Sequence, residues 1–256
     1  MKITLLPSAL AEPGAALHQY ATSFLVNDRV AFDAGSLGFH GAPRDQAAVQ
    51  HLFLSHSHID HLASLPLFLE NIIGLTESPV TVYASEAVQE CLRFDVFNGR
   101  LWPNFLDLTS AGVPFLKLET LRNGQVVVAG GMRVTPIAVD HVVPTLGFLI
   151  EDATSGIVIS SDTAPTEAIW AAANRMANLQ AVFLEATFPD ELADLARLTK
   201  HLTPAQFVAE ARKLQRPTRF FAVHLRARLR DQVARELLAH GLPNLEIAQF
   251  GTTYEF

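Results

Sequence analysis

The sequence is poor in cysteine and in charge, and it has no long uninterrupted apolar run. Cys91 is the only cysteine among 256 residues. An intramolecular disulfide is therefore impossible and a thiolate metal cluster cannot form. A reducing, cytoplasmic setting fits that usage. Charged residues make up 18% of the chain against 49% hydrophobic, which excludes a disordered or fibrous chain and leaves ample material for a buried core. Apolar stretches such as 65–69 are broken by polar or proline residues before they could span a bilayer, so no membrane partner is expected. A secretory leader is disfavoured too. The start, Met1 to Ala11, has a small-residue look at Ala9 and Ala11, but its apolar centre is short and Pro7 interrupts it. Linkers rich in Pro, Gly or Ser, low-complexity tracts and internal repeats are also missing, and residues 1–256 read as one domain.

Charge is unevenly spread. The net charge is −7, yet 197–235 holds ten of the nineteen basic residues against only Glu210 and Asp231, a local +8 beside −15 elsewhere. One reading is the solvated faces of terminal helices. The other is a basic rim that receives a small anionic substrate; long nucleic acid is disfavoured because the remaining surface would repel it.

Short segments rich in β-formers dominate the first third: 3–6, 23–26, 30–32 and 51–54, punctuated by Asn27-Asp28, Asp33-Ala34-Gly35 and Gly41-Ala42-Pro43. A helix is expected from Asp60 as N-cap, carrying Leu62, Leu65, Leu69, Ile72 and Ile73 at helical spacing. A strand over 80–83 and a helix over 86–94 come next, then an irregular aromatic stretch from Phe97 to Phe105. Strands follow at 126–129, 133–139, 147–151 and 157–160, a helix at 166–175, and a strand at 181–185. The last elements are helices over 204–214 (Pro204 in the first turn) and 231–240, with strands over 219–223 and 245–248. Two runs of strands, each followed by helices, predict an α/β fold of two sheets packed face to face with helices outside.

Chemistry concentrates in His56-Ser57-His58-Ile59-Asp60-His61. His56 and His58 stand two apart at the end of an apolar strand, so in extended chain both imidazoles point the same way and can reach one metal ion. Asp60 and His61 follow at the turn into a helix, where they can serve a second ion. Such nitrogen and oxygen donors suit zinc first, with manganese and iron also accepted. Further candidates each sit just past an apolar strand, where loops gather at one end of a sheet: His141 after 134–139, Asp162 after 157–161 and His224 after 220–223. Asp162 is the natural bridge, because a carboxylate offers one oxygen to each of two ions. His18, His40, His51 and His240 lack this placement. Glu185 ends a strand and His201 lies just before Thr203-Pro204. As a pair they would make a carboxylate-held proton donor; separately, they would be a helix-flanking histidine and a surface carboxylate.

The HxHxDH run and the later order His141, Asp162, His224 resemble the metallo-β-lactamase superfamily across nearly the whole chain. That resemblance implies a four-layer αββα sandwich with two mixed sheets. Within the superfamily the chain is most similar to the class II cyclic-nucleotide phosphodiesterases. Segments carrying this are Ser23-Phe24-Leu25-Val26, Ala31-Phe32-Asp33-Ala34-Gly35, Ala63-Ser64-Leu65-Pro66, Phe97-Asn98-Gly99 with Trp102-Pro103, His141-Val142-Val143-Pro144, Gly147-Phe148-Leu149-Ile150, Asp162-Thr163 with Pro165-Thr166-Glu167, and His201-Leu202-Thr203-Pro204. The strip Leu184-Glu185-Ala186-Thr187-Phe188 resembles the tRNase Z branch, where a glutamate and a later histidine assist the leaving oxygen. Two departures stand out: Ser161 precedes the bridging aspartate where the group commonly has glycine, and Arg226-Ala227-Arg228 follows the last histidine where it commonly has Lys-Pro. Arginine engages phosphate differently from lysine, so the second bears on substrate preference.

The resemblance implies one ion on His56, His58 and His141, another on Asp60, His61 and His224, and Asp162 between them. Two ions roughly 3.5–4 Å apart would share a hydroxide. Asp60 would aim it at the phosphorus of a 3′,5′-cyclic nucleotide such as cyclic AMP, and His201, oriented by Glu185, would protonate the departing oxygen. Arg226 is a candidate substrate contact. Trp102 and Phe105 either stack on the base or pack under a loop. Related enzymes suggest a homodimer. The alternatives are a tRNase Z-like phosphodiesterase, a thioester or lactam hydrolase, and a non-catalytic metal- or nucleotide-binding sensor; the fold hosts them all.

Overall fold

The structure, a computed structural model, describes residues 1–8, 20–76, 78–110 and 112–256. Ala9, Ala11 and His18 lie outside the described residues.

The sequence sorts into two sheets in chain order. Strands β1 (Lys2–Leu5), β2 (Phe24–Val26), β3 (Val30–Phe32), β4 (His51–Phe53) and β5 (Val80–Ala84) lie side by side. After a small hairpin of β6 (Thr109–Ser110) and β7 (Val113–Pro114), β8 (Leu116–Thr120) joins β5. The second sheet runs in order through β9 (Val127–Ala129), β10 (Met132–Val139), β11 (Thr145–Glu151), β12 (Gly156–Ile159), β13 (Leu179–Glu185), β14 (Arg219–Val223) and β15 (Leu245–Ile247). Strand β16 (Thr253–Glu255) crosses back to pair antiparallel with β1, Tyr254 opposite Ile3. Helices α1 (Pro43–Gln46), α2 (Ile59–Leu62), α3 (Leu65–Asn71) and α4 (Glu86–Cys91) accompany the first sheet. Helices α5 (Ala168–Ala173), α6 (Ala193–Thr199), α7 (Pro204–Ala211) and α8 (Arg230–Ala239) accompany the second. Among the described residues no helix is long and apolar enough to cross a membrane.

Three apolar layers hold these parts together. Between the sheets, Phe24 meets Phe183 edge-on at 5.6 Å and Phe148 packs on Phe32 at 5.2 Å. Each buried phenylalanine contributes about 1.5–3 kcal/mol from the water it excludes. Leu52, Val80 and Val82 lie in a second layer with Phe68 and Leu69 of α3, while Val158, Val182 and Phe220 lie in a third with Trp170, Phe207 and Leu237 of α5, α7 and α8. Strands covered on both faces read as continuous apolar runs, as β12 does, whereas β10 alternates buried and exposed positions through its first half. The result is the αββα architecture.

Direction decides where loops meet. β3, β4, β5 and β8 are parallel, and so are β12, β13, β14 and β15. β10 is antiparallel to β11, which is antiparallel to β12, so β10 runs the same way as β12. Within each sheet, the carboxyl ends of these strands therefore share one edge, the place where α/β sheets bind ligands.

The expected helix over 60–73 is corrected to two. α2 has His58, not Asp60, as its N-cap, and α3 restarts at Leu65 with Pro66 in its first turn. The break follows from Ser64, whose N–H and hydroxyl both donate to the Ala34 carbonyl (3.0 and 2.8 Å). Ile73 falls past the helix and is exposed. Strands β8 and β16 carry too few apolar residues to be read from pattern; sheet pairing makes them strands.

Candidate metal centre

The run from His56 to His61 leaves the carboxyl end of β4 and is held by backbone contacts. Thr22 N–H donates to the Asp60 carbonyl at 2.7 Å, and Ala34 N–H to the His61 carbonyl at 2.8 Å. Gly35 makes this approach possible: a Cβ there would lie 2.0 Å from the Asp60 carbonyl oxygen. No other residue fits without moving the loop.

The second sheet supplies the rest one strand at a time. His141 follows β10, Asp162 follows β12, Glu185 ends β13, and His224 follows β14. His201 sits between α6 and α7, where Thr203 caps α7. Two groups of possible ligand atoms result, each within 4.8 Å of one another: His56, His58, His141 and Asp162, and Asp60, His61, Asp162 and His224. Asp162 belongs to both. Its Oδ2 lies 3.7 Å from His56 Nε2, 3.4 Å from His61 Nε2 and 3.5 Å from His224 Nε2. Glu185, His201 and His224 form a third group sharing His224.

Counting protons assigns the imidazoles. Ser55 Oγ donates its one proton to Asp33 Oδ2 (2.8 Å), so His56 Nδ1–H donates to Ser55 Oγ (2.9 Å) and Nε2 keeps a lone pair. His61 Nδ1–H donates to the same Asp33 oxygen at 2.6 Å. His141 Nδ1–H donates to the Lys200 carbonyl at 3.0 Å. Thr187 Oγ1 donates to Glu185 Oε2 (2.7 Å) and receives His224 Nδ1–H (3.0 Å). Metal-ligating histidines are typically oriented this way from their far nitrogen.

The residues fit metal ions on an observation of their own. His56 Nε2 is buried without a hydrogen-bond partner, an arrangement that costs about 1–3 kcal/mol unless something electrophilic takes the lone pair. His58 Nδ1 and His141 Nε2 also face each other at 3.2 Å. Burial, reinforced at His56 by His61, holds His56, His58 and His141 below the ordinary imidazole pKa, the neutral form a metal needs. Burial also opposes charge on Asp162, but His224 and His61 hold its carboxyl well below the carboxylate range. At His61 burial is overcome by Asp162 and Asp33, which raise its pKa well above the ordinary value. An ion arriving there displaces a proton.

Beside the cluster, His201 Nδ1–H donates to Glu185 Oε1 at 2.8 Å, and its ring stacks on His224 at 5.5 Å. Glu185 is buried and also accepts from Thr163 N–H, Leu202 N–H and the Thr187 hydroxyl, which locks the carboxylate. Burial disfavours charge on His201, yet Glu185 raises its pKa above the usual imidazole value. The arrangement can hand a proton to an atom bound at the cluster.

Asp33, Ser55, Thr187 and Lys200 take part without having been singled out as site residues from sequence. Asp33 follows β3 just as His224 follows β14, so the strand-end signal that marks the ligands also marks Asp33. Asp33, Ser161, Lys200 and His224 all hold positive φ, +61°, +55°, +55° and +58°. Non-glycine residues in this region are strained, and such strain gathers at functional sites. It explains why glycine suits the position of Ser161. Trp102 and Phe105 go to packing: Phe105 stacks on Phe97 at 5.8 Å and meets Phe115 edge-on, and Trp102 packs against the outer layer of the first sheet. Of the two alternatives for Phe105, packing under the loop is the one its ring neighbours, core phenylalanines, favour. Arg226 is exposed at the mouth of the cluster, its guanidinium 5.4 Å from the Phe188 ring centre. His51 contacts Tyr83 and His240 contacts Asp190, away from the cluster.

Comparison with known proteins follows the same lines. The family model described as "Beta-lactamase superfamily domain" matches residues 28–225. A curated protein of Yersinia pestis, "Probable 3',5'-cyclic-nucleotide phosphodiesterase", is 29% identical over 185 residues, 66% of this chain and 52% of that protein. The chain thus matches about half the length of that relative. Among solved structures, unliganded yeast PDE1 superposes with a TM-score of 0.77 over 98% of both chains at 17% identity. The short form of human tRNase Z gives 0.69 at 16% identity, covering 100% of this chain and 99% of its own. At those identities the likeness is one of fold.

Proposed function

The chain belongs to the β-lactamase superfamily, and from that premise we propose that it is a metal-dependent phosphodiesterase acting on a 3′,5′-cyclic nucleotide. His56, His58, His141 and Asp162 would hold one divalent ion, and Asp60, His61, Asp162 and His224 the other. When bound, such ions polarise a phosphoryl oxygen and lower the pKa of water toward neutrality. Asp60, whose Oδ2 lies 3.2 Å from His224 Nε2, accepts a hydrogen bond from the attacking water and aims it. His201 then protonates the departing ribose oxygen, while Glu185 fixes its ring and favours its protonated form.

The observation that carries this reading is the Glu185–His201 pair at 2.8 Å, stacked against His224. An alkoxide leaving group from a phosphodiester needs a proton, whereas the thiolate of a thioester departs without one. The relative in Yersinia pestis supports a cyclic nucleotide as the substrate class. The test is a panel of cyclic AMP, a bis-aryl phosphodiester, a thioester and a β-lactam, offered to protein loaded with zinc, manganese or iron and assayed for metal. We expect two metal equivalents per chain and turnover of phosphodiesters. Turnover confined to the thioester or lactam would overturn the reading.

A further inference from the structure

We propose that the groove beyond Arg226 is a second anion subsite, which takes a phosphate carried on the leaving group of a linear substrate. This rests on the phosphodiesterase reading and extends it past cyclic nucleotides. A cleft of about 110 Å³ lies at the mouth of the cluster, lined by Asp60, His224 and Arg226. It continues into a shallow groove of about 570 Å³ lined by Arg228, Asp231 and Arg235. Tyr20 and Ala227 line both, so the two are one channel.

The channel is cationic, and its cations are available. Among the described residues the arginines in ion pairs are Arg197, Arg219 and Arg230. Arg226, Arg228 and Arg235 are in none. Among the described residues the one acid lining the groove, Asp231, pairs with Arg230 at 3.5 Å, and Gln232 engages the nearby Glu191 and Glu236. Unpaired arginines in a channel are suited to phosphate, which they grip through two parallel N–H bonds. The rest of the chain carries a net negative charge, so this channel is the region toward which an anion is drawn.

Phe188 ties the start of the channel to the proton donor. Its ring lies 5.8 Å from His201, edge-on, and 5.4 Å from the Arg226 guanidinium. Arg226, which lines the cleft, is thus one aromatic ring away from the residue assigned to protonate the departing oxygen. A water oxygen adds to phosphorus, the phosphorus–oxygen bond to the departing nucleoside breaks, and His201 protonates that oxygen. The second phosphate is untouched and leaves with its nucleoside. A 3′,5′-cyclic nucleotide uses only the first part of the channel; a linear dinucleotide with a terminal phosphate fills it.

The test compares the dinucleotide ApA with ApA phosphorylated at either end, using metal-loaded full-length protein. One phosphorylated form should be preferred on the order of tenfold in kcat/KM, carried by KM, as expected for one charge-assisted contact. The double variant R228Q/R235Q should bring that ratio close to one. Both side chains are exposed, so folding is not at issue. A wild-type ratio near one, or a ratio unmoved in the double variant, overturns the subsite. Binding of pyrophosphate to the chelator-treated chain gives a readout independent of turnover: it should weaken on the order of tenfold in the variant, and equal binding overturns the proposal. If no phosphodiester is turned over at all, the phosphodiesterase reading fails, and the pyrophosphate measurement alone decides the subsite.

Discussion

The two sheets contribute to the metal centre in opposite ways. The first gives four possible ligands from one loop of six residues, His56 to His61, fastened by the backbone of Thr22 and Ala34. The second gives one residue from each of several strand ends: His141, Asp162, Glu185 and His224. The first half is a local unit and the second an assembly. A disturbance of the loop should move several ligands together, whereas a disturbance in the second sheet should remove one function at a time.

Substitutions can break or sharpen that contrast. The largest effect is expected for Asp162→Ala, which takes from both ligand groups the carboxylate they share. Bound metal should fall below one equivalent and activity by roughly 10³-fold or more, measured by elemental analysis and phosphodiester turnover. Retention of two equivalents would show that the groups do not depend on this residue. His201→Ala should lower kcat by roughly 10²–10⁴-fold while both metals stay bound, because it removes a proton donor and no ligand. Full activity would remove His201 from the mechanism. Asp33→Ala should weaken metal binding by about 10–100-fold, measured by competition with a chelator. Since Asp33 orients His61 directly and His56 through Ser55, the loss should appear at both ions; loss of one alone would argue against a unit. Thr187→Val should have the smallest effect, a fall of about tenfold in kcat, with Thr187→Ser restoring it. Its hydroxyl is one hydrogen bond each for Glu185 and His224.

Gly35→Ala tests the same contrast from the backbone. A methyl group 2.0 Å from the Asp60 carbonyl must push the loop away from Thr22. We expect a loss of metal together with a lower Tm, whereas His201→Ala should leave metal content unchanged. A Gly35→Ala protein with full metal content would show that the loop tolerates movement.

Legibility in the sequence follows the same division. Four donors within six residues are neighbours whatever the fold, so the run from His56 to His61 reads directly. His141, Asp162 and His224 read through position, each just past an apolar strand. Their convergence depends on strand direction, which a hydrophobic pattern does not encode. Asp33 carries the same strand-end mark but also reads as a turn beside Gly35, and only its bonds to Ser55 and His61 separate the two. Phe105 and Trp102 show the reverse: their residue types suit base stacking, yet their neighbours are core residues.

The sequence by itself therefore determined the composition of the centre: which donors exist, that none is a thiolate, and that four of them travel together on one loop. Apolar periodicity likewise determined that strands dominate, with helices outside. Tertiary structure alone decided three things. It made Asp162 common to both candidate ligand groups, brought Glu185 onto His201 across sixteen residues, and set Arg226 at the mouth of the cluster. The physical reason is that an imidazole or carboxylate acts over a few ångströms. Only the pairing of strands brings residues from distant parts of the chain within that distance.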